Sequence, residues 1–509
     1  MTVHLGPRLW RAHLPAGMDS DGLDLGEKGS LPAAWSRCWD DEPDRPVLHE
    51  QARGWVRAGA LDRTSRKWAS LLHAAGLGRG DRIIVSAIPS VALVTAYLGA
   101  LRLGLVVVPV NTSYREREIA HIVGDAEPAA ALVDDSDRAE SVTTAASGRK
   151  IPIFSPDSDL PNGPFPELDA LEPEDPALIC YTSGTTGAPK GATLSHGNLL
   201  AGAEAVRLAW RWTEGDRLVL ALPLFHVHGL CVGLHGTLLT GGSAVILPRF
   251  DTDAVLEVSR RHRGTLFFGV PTMYHRLARS PRVAELARLR LCVCGSAPLP
   301  APLWERILSQ TGQRVLERYG MTETLMNISN PYEGERRPGS VGLPLPGVEL
   351  RMEASEGGEI LLRGPNVFRG YWRNPGATAS AFEDGWFRTG DIGRLDADAY
   401  LRIEGRAKEL IITGGHNVYP REVEDVLLTH PGVVEVAVVG APSDEWGEVV
   451  TAYVVPATPV PDTETLIEYV SERLAPYKRP RRLHFVSALP RNALGKVMRH
   501  ELTPQLGPP

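Results

Sequence analysis

Between about residue 45 and residue 400, short apolar runs of β type alternate with longer helix-length segments. RIIVS at 82–86, VVVPV at 106–110 and AAALV at 129–133 are runs of the first kind, and 61–75 and 90–103 are segments of the second. Strands that run parallel need a long crossover between them, usually a helix. The alternation therefore restricts this part of the chain to an α/β architecture with largely parallel sheets. At 509 residues the chain is too long for one core, so two or more domains are expected. From about residue 345 the texture changes to short strands split by Gly and Asp, as at 358–363 and 400–404, which reads as a small β-rich subdomain. A boundary falls near GRAK at 405–408. Beyond it a compact α+β pattern follows, with helices at 420–428 and 463–474 and strands at 433–439 and 449–455. The expected division is a loosely held extension over 1–30, a large N-terminal domain over 31–404, a hinge at 405–409 and a small C-terminal domain over 410–509.

Composition excludes several function classes. A net charge of −7 argues against a nucleic-acid binder, which needs clustered positive charge. An anionic nucleotide would have to be held by local donors. The five cysteines (Cys38, Cys180, Cys231, Cys292, Cys294) have neither metal-ligand nor disulfide-framework spacing, and four sit in apolar runs as core residues. A reducing, cytoplasmic setting fits them. No run of eighteen apolar residues occurs, so no membrane span is expected. The apolar segment 93–110 is broken by Arg102 and Pro109 and reads as a core helix running into a strand. The N-terminus lacks the apolar region of a signal peptide, and Asp19, Asp21, Asp24 and Glu27 argue against a transit peptide.

Chemistry is concentrated in a few motifs. YTSGTTGAPKG at 181–191 packs the hydroxyls of Thr182, Ser183, Thr185 and Thr186, three glycines including Gly184, and Lys190 into eleven residues. Glycines let backbone N–H groups approach an anion closely, and the hydroxyls and the lysine add donors and charge. The segment reads as a loop gripping nucleotide phosphates, fed by the buried strand 177–181. It is not the Walker pattern, because Ala188 and Pro189 separate the last loop glycine from the lysine. ERYGMTE at 317–323 supplies Thr322 as a phosphate donor and Glu323 as a carboxylate suited to Mg²⁺. In isolation, a capping Thr-Glu at a helix start would be the stronger reading. GSAPL at 295–299 follows an apolar strand, WFRTGD at 386–391 ends on Asp391, and PRNALGK at 490–496 ends on Lys496. His226 and His228 lack an acid or Cys partner and are not read as metal ligands.

Taken in order, these motifs resemble the adenylate-forming superfamily of acyl-CoA synthetases, peptide-synthetase adenylation domains and luciferases, over residues 45 to 503. The resemblance implies an ATP site formed by Thr182, Ser183, Gly184, Thr185, Thr186, Lys190, Ser296, Ala297, Pro298, Glu317, Arg318, Tyr319, Gly320, Asp391 and Arg406. In that site Tyr319 lies beside the adenine and Asp391 on the ribose. Thr186 and Glu323 would hold Mg²⁺. Lys496, Thr322, Glu323 and His226 are the implied catalytic residues. Lys408 takes the hinge position, and Gly414 and Gly415 line the CoA tunnel after the C-terminal domain rotates.

Within that superfamily, PTMYHR at 271–276, HVHG at 226–229 and GMTETLMN at 320–327 look like malonyl-CoA synthetases. Arg276 falls one helical turn beyond Thr272 and Met273, on a segment that borders the acyl pocket in the family. A guanidinium there binds a carboxylate bidentately and suggests a dicarboxylate. Ser296 and Met321 complete the expected acid contacts, and Arg249 and Arg290 are weaker rivals to Arg276. The expected partners are small molecules: a malonate-like acid, ATP and CoA. A ligase for a short or medium-chain monocarboxylate, or an adenylation enzyme loading a carrier protein in trans, are the alternatives.

Overall fold

The computed structural model describes residues 2–25, 29–162, 165–182, 189–355, 357–443, 445–492 and 495–502. Ser183, Gly184, Thr185 and Thr186 of the expected phosphate loop lie outside these residues. Among the described residues the strands form four sheets. In the seven-stranded sheet Val106–Pro109, Arg82–Ser86, Ala130–Val133 and Pro176–Thr182 run parallel to their neighbours, and Lys190–Ser195 folds back antiparallel on Pro176–Thr182. In the nine-stranded sheet Ser243–Ile246, Arg217–Leu220, Leu266–Gly269, Leu291–Cys294 and Leu316–Met321 are parallel in that spatial order. Their Val/Leu/Phe-rich sequences follow from burial on both faces.

Helix Val91–Arg102 is buried along its whole length. Ser90 caps it by accepting from the Leu93 N–H at 3.1 Å. At its end Arg102 is also buried, and its guanidinium meets Asp62 at 2.7 Å and Asp169 at 2.8 Å. The charge that interrupts the apolar run is thus an internal ion cluster. Among the described residues no helix is long and apolar enough to cross a membrane. Cys180, Cys231, Cys292 and Cys294 are buried, and burial pushes Cys180 and Cys292 up to about 12, so they remain thiols.

The β-rich subdomain forms a six-stranded antiparallel sheet that includes Glu349–Met352, Gly358–Arg363, Trp386–Leu395 and Leu401–Arg406. Its edge corrects one expectation. The N-terminal segment is docked, not loosely held. Val3–Leu5 pairs with Glu349–Met352, Trp10 donates its indole N–H to the Val348 carbonyl at 2.8 Å, and Arg211 holds the His13 and Leu14 carbonyls. Trp10, Leu14 and Leu25 are buried and add apolar contact to this docking.

The C-terminal sheet is built on the long hairpin Val433–Ser443 and Gly447–Pro456, with helices Pro420–Leu428 and Thr463–Ser471. Two further pieces complete it, the tight hairpin of Ile411–Thr413 and His416–Val418 and the strand Arg482–Phe485.

Buried histidines give the large domain a specific acid sensitivity. Burial pulls His13, His196 and His226 down to about 4 and His235 to about 3, and holds His228 well below the ordinary histidine value. Between the ordinary histidine pKa and these values the unfolded chain binds more protons than the folded one. Stability is therefore present above about pH 6.5 and is lost as pH falls, by up to about 1.4 kcal/mol per pH unit per histidine. Glu317, Glu323 and Asp391, raised by burial, oppose this but do not outnumber it. Urea midpoints are expected to drop steeply from pH 7 to pH 4.5, and a flat profile would contradict the burial argument.

Candidate active site

A cleft of about 860 Å³ opens between the two domains, lined by Ser296, Tyr319, Arg276 and Asp391 on one side and Lys496 and Arg499 on the other. A smaller cavity of about 310 Å³ adjoins it and shares Thr272, Arg276 and Ser296.

Sheet register sets the charge geometry on the nucleotide side. Strands Trp386–Leu395 and Leu401–Arg406 place Asp391 directly opposite Arg406. Arg406 Nε lies 2.7 Å from Asp391 Oδ1, and the Tyr319 hydroxyl donates to Asp391 Oδ2 at 2.5 Å. Burial raises the Asp391 carboxyl, while Arg406, Tyr319 and Lys496 pull it back down. Burial would lower Arg406, but Asp391, Tyr319 and Glu323 outweigh it. Gly320 sits where the strand is hydrogen-bonded to its neighbour; a Cβ there would lie 2.0 Å from the Leu325 carbonyl, so only glycine fits.

Glu323 is buried and accepts from the Tyr371 hydroxyl at 3.0 Å. Lys190 Nζ lies over the Tyr371 ring at 5.2 Å. Tyr371 thus links the lysine after the phosphate loop to the carboxylate, a connection with no sequence signal, since Tyr371 is a lone tyrosine far from both. Among the described residues no group of three metal-binding side chains occurs. Magnesium usually takes one or two carboxylates together with substrate phosphates and water, so the single carboxylate of Glu323 fits that ion.

Lys496 reaches the cleft from a tight turn. Its N–H donates to Asn492 Oδ1 at 3.0 Å, and Gly495 (φ +77°) approaches so near Thr272 that a Cβ would lie 2.9 Å from its hydroxyl. Lys496 is exposed as a residue, yet its ammonium lies within the field of Arg406, Glu409 and Asp391. Burial and Arg406 pull its pKa down, and Glu409 and Asp391 push it up. Glu409, in the turn Ala407–Glu409, is a second residue that sequence reasoning did not single out; its neighbour Lys408 is exposed.

On the acid side, helix Pro271–Ala278 starts with Pro271 at its first turn and presents Thr272 and Arg276 to both cavities. Arg276 is exposed, not buried, where it lines both cavities; among the described residues no carboxylate pairs with it. Of its rivals, Arg290 is held by Asp216 at 2.6 Å, and Arg249 is exposed and lines neither cavity. His228 opens a π-helical segment, His228–Leu234, and its Nδ1 lies 3.3 Å from the Ser296 hydroxyl, Ser296 being held at φ +68°. His226 lines the smaller cavity and is neutral at pH 7.

Some expected site residues are not brought to the cleft. Gly414 and Gly415 lie exposed in the turn of the C-terminal hairpin, outside both cavities. Thr322 and Met321 also line neither, although the Tyr319 hydroxyl touches Met321 Sδ at 3.8 Å.

A large α/β domain, a small C-terminal domain and a cleft between them that gathers Asp391, Arg406 and Lys496 fit an enzyme that activates an acid with a nucleotide. The chain belongs to the AMP-binding enzyme family: residues 35–372 match the AMP-binding enzyme profile and residues 422–496 that of the AMP-binding enzyme C-terminal domain. It is an acyl-CoA ligase that works through an acyl-adenylate. A malonate–CoA ligase from Arabidopsis thaliana is 37% identical over 477 residues, covering 84% of this chain and 78% of the relative. A feruloyl-CoA synthase from an Amycolatopsis species is 37% identical over 461 residues, covering 88% and 93%. The crystal structure of ATP-bound MatB from Rhodopseudomonas palustris superposes with a TM-score of 0.88 at 39% identity, covering 94% of this chain and 99% of that one.

Proposed function

We propose that the protein joins malonate, or its methyl homologue, to coenzyme A with release of AMP and pyrophosphate. The observation that carries this reading is Arg276: a guanidinium with no carboxylate partner among the described residues, at the mouth shared by both cavities. A short acid reaching from the cleft would set its far carboxylate there, where arginine binds bidentately. The likeness to a malonate–CoA ligase supports it. The likeness to a feruloyl-CoA synthase favours a second reading, a monocarboxylate ligase.

In the first step a carboxylate oxygen attacks the α-phosphorus of ATP, and the bond to pyrophosphate breaks. Negative charge grows on the phosphoryl oxygens, and the Lys496 ammonium stabilises it. Asp391, oriented by Arg406 and Tyr319, accepts from the ribose hydroxyls. Mg²⁺, when bound, would be held by Glu323 and would neutralise charge on the phosphates. Both cavity histidines are neutral, so they serve as hydrogen-bonding walls and not as added charge. In the second step the CoA sulfur attacks the acyl carbon and AMP leaves. In the arrangement described here the C-terminal domain offers Lys496 to the cleft, and Gly414 and Gly415 face outward. Thioester formation therefore requires this domain to turn at the segment around Lys408.

The test is AMP release with MgATP and CoA across acetate, octanoate, malonate, methylmalonate and succinate. Activity confined to malonate and methylmalonate is expected. Preference for a monocarboxylate overturns the assignment of the acid and leaves the ligase class intact.

A further inference from the structure

We infer that Tyr371 is a positioning residue for the phosphate end of the nucleotide, holding the Lys190 ammonium and the Glu323 carboxylate apart and oriented before ATP arrives. The inference rests on the reading of Glu323 as the magnesium carboxylate, but not on which acid the enzyme uses.

Lys190 and Glu323 are opposite charges from separate motifs. Among the described residues each meets Tyr371, and no ion pair joins them directly. The Tyr371 hydroxyl donates to Glu323 Oε1 at 3.0 Å, and the face of its ring receives Lys190 Nζ at 5.2 Å from the centroid. One side chain thus offers an electron-rich face to a cation and an O–H to an anion.

The backbone around Tyr371 repeats the link. Phe368 donates its N–H to the Glu323 carbonyl at 2.8 Å, and Trp372 donates its N–H to the Gly191 carbonyl at 2.7 Å. Tyr371 itself pairs with Ala192 where Gly370–Tyr371 lies antiparallel to Lys190–Ser195. The ring is fixed from behind. Buried Phe368 packs edge-on against it at 4.9 Å between centroids, and the Tyr371 N–H donates to Thr378 Oγ1 at 2.9 Å. The residues from Phe368 to Trp372 therefore span the two motifs, and the side chain of Tyr371 reaches the charged group of each.

Opposite charges that share one neighbour attract each other. A direct pair would have to break before Lys190 could meet a phosphate and Glu323 a divalent cation. Tyr371 replaces that pair with two separate contacts of different strength. Lys190 is exposed, where a cation–π contact is weak and easily exchanged for a phosphate. Glu323 is 7% exposed, where the hydroxyl keeps its carboxylate hydrogen-bonded in the empty site. The role belongs to the first step, because thioester formation begins after pyrophosphate has left.

The experiment uses full-length wild type, Tyr371→Phe, Tyr371→Leu and Glu323→Gln. It measures Mn²⁺ binding by electron paramagnetic resonance in the presence of α,β-methylene-ATP, and binding of that analogue in EDTA by calorimetry. It adds pyrophosphate release, thioester formation from preformed acyl-adenylate, and the melting temperature. Tyr371→Phe keeps the ring and loses the hydroxyl. Its affinity for Mn²⁺ is expected to fall about tenfold, the scale of one hydrogen bond to a charged group, with analogue binding in EDTA unchanged. Tyr371→Leu loses the ring as well and should also weaken analogue binding in EDTA by about two- to fivefold. In both variants pyrophosphate release should fall more than thioester formation. Wild-type Mn²⁺ affinity in Tyr371→Phe, where Glu323→Gln has lost it, overturns the inference. So does an equal loss in both half-reactions together with a lower melting temperature in Tyr371→Phe, which marks a packing role only. Unchanged analogue binding in Tyr371→Leu overturns the hold on Lys190. Wild-type Mn²⁺ affinity in Glu323→Gln overturns the reading of Glu323 itself, and the inference with it.

Discussion

Lys496→Ala is expected to lower carboxylate-dependent pyrophosphate release by about 10²–10³-fold, the usual cost of removing one preorganised group from a developing oxyanion. The backbone that carries the ammonium is held in place before any substrate arrives. The turn over Asn492 fixes its backbone, and the contact of Gly495 with Thr272 fixes the turn against the acid-binding helix. Thioester formation from preformed acyl-adenylate should survive, because that half of the reaction develops no charge on a phosphoryl group in transit. The sign of the pH dependence follows from the surroundings. Burial and Arg406 lower the Lys496 pKa against Glu409 and Asp391, so the charged form is lost earlier on the alkaline side than for an ordinary lysine. The alkaline limb of kcat/KM for adenylation should fall below the usual lysine range and should move up in Lys496→Arg. Near-normal pyrophosphate release by Lys496→Ala would remove this residue from the first step.

Arg276→Ala is expected to raise the KM for malonate and to cut kcat/KM by about ten- to a hundredfold, leaving the KM for ATP in place. The magnitude comes from a charged hydrogen-bonding group worth about 1.5–3 kcal/mol. The exposure of Arg276 at the mouth argues for that range, not for the larger loss that follows breaking a buried pair. Unchanged malonate kinetics would refute the assignment of the distal carboxylate to Arg276.

Much of the architecture was legible along the chain because it rests on local periodicity. Runs such as VVVPV at 106–110 can be buried only between two layers, and the segments between them have helix length. Arg102 looked like an interruption of an apolar run, and the reason it is tolerated, two aspartates at 40 and 67 residues' separation, could not be read locally. The N-terminal segment misled for a similar reason. Its acidic, glycine-containing sequence carries no strong period, and its order comes from pairing with a strand more than 340 residues away. The glycines at 414 and 415 were recognisable as a turn, but their distance from the cleft depends on the orientation of a whole domain.

The sequence by itself determined the fold class and the family, since both follow from periodicity and from ordered motifs that each occupy a few adjacent residues. It also determined which side chains were available for chemistry. Only the tertiary structure decided how they are charged and paired. Asp391 meets Arg406 through strand register, Tyr371 joins Lys190 to Glu323, and Arg290 is neutralised by Asp216. Arg276 and Arg318 are left facing the cleft without carboxylate partners among the described residues. The physical reason is that a charge acts through its distance to other charges and its exclusion from water. Both are set by packing between residues far apart in the chain, and neither is visible in the order of the amino acids.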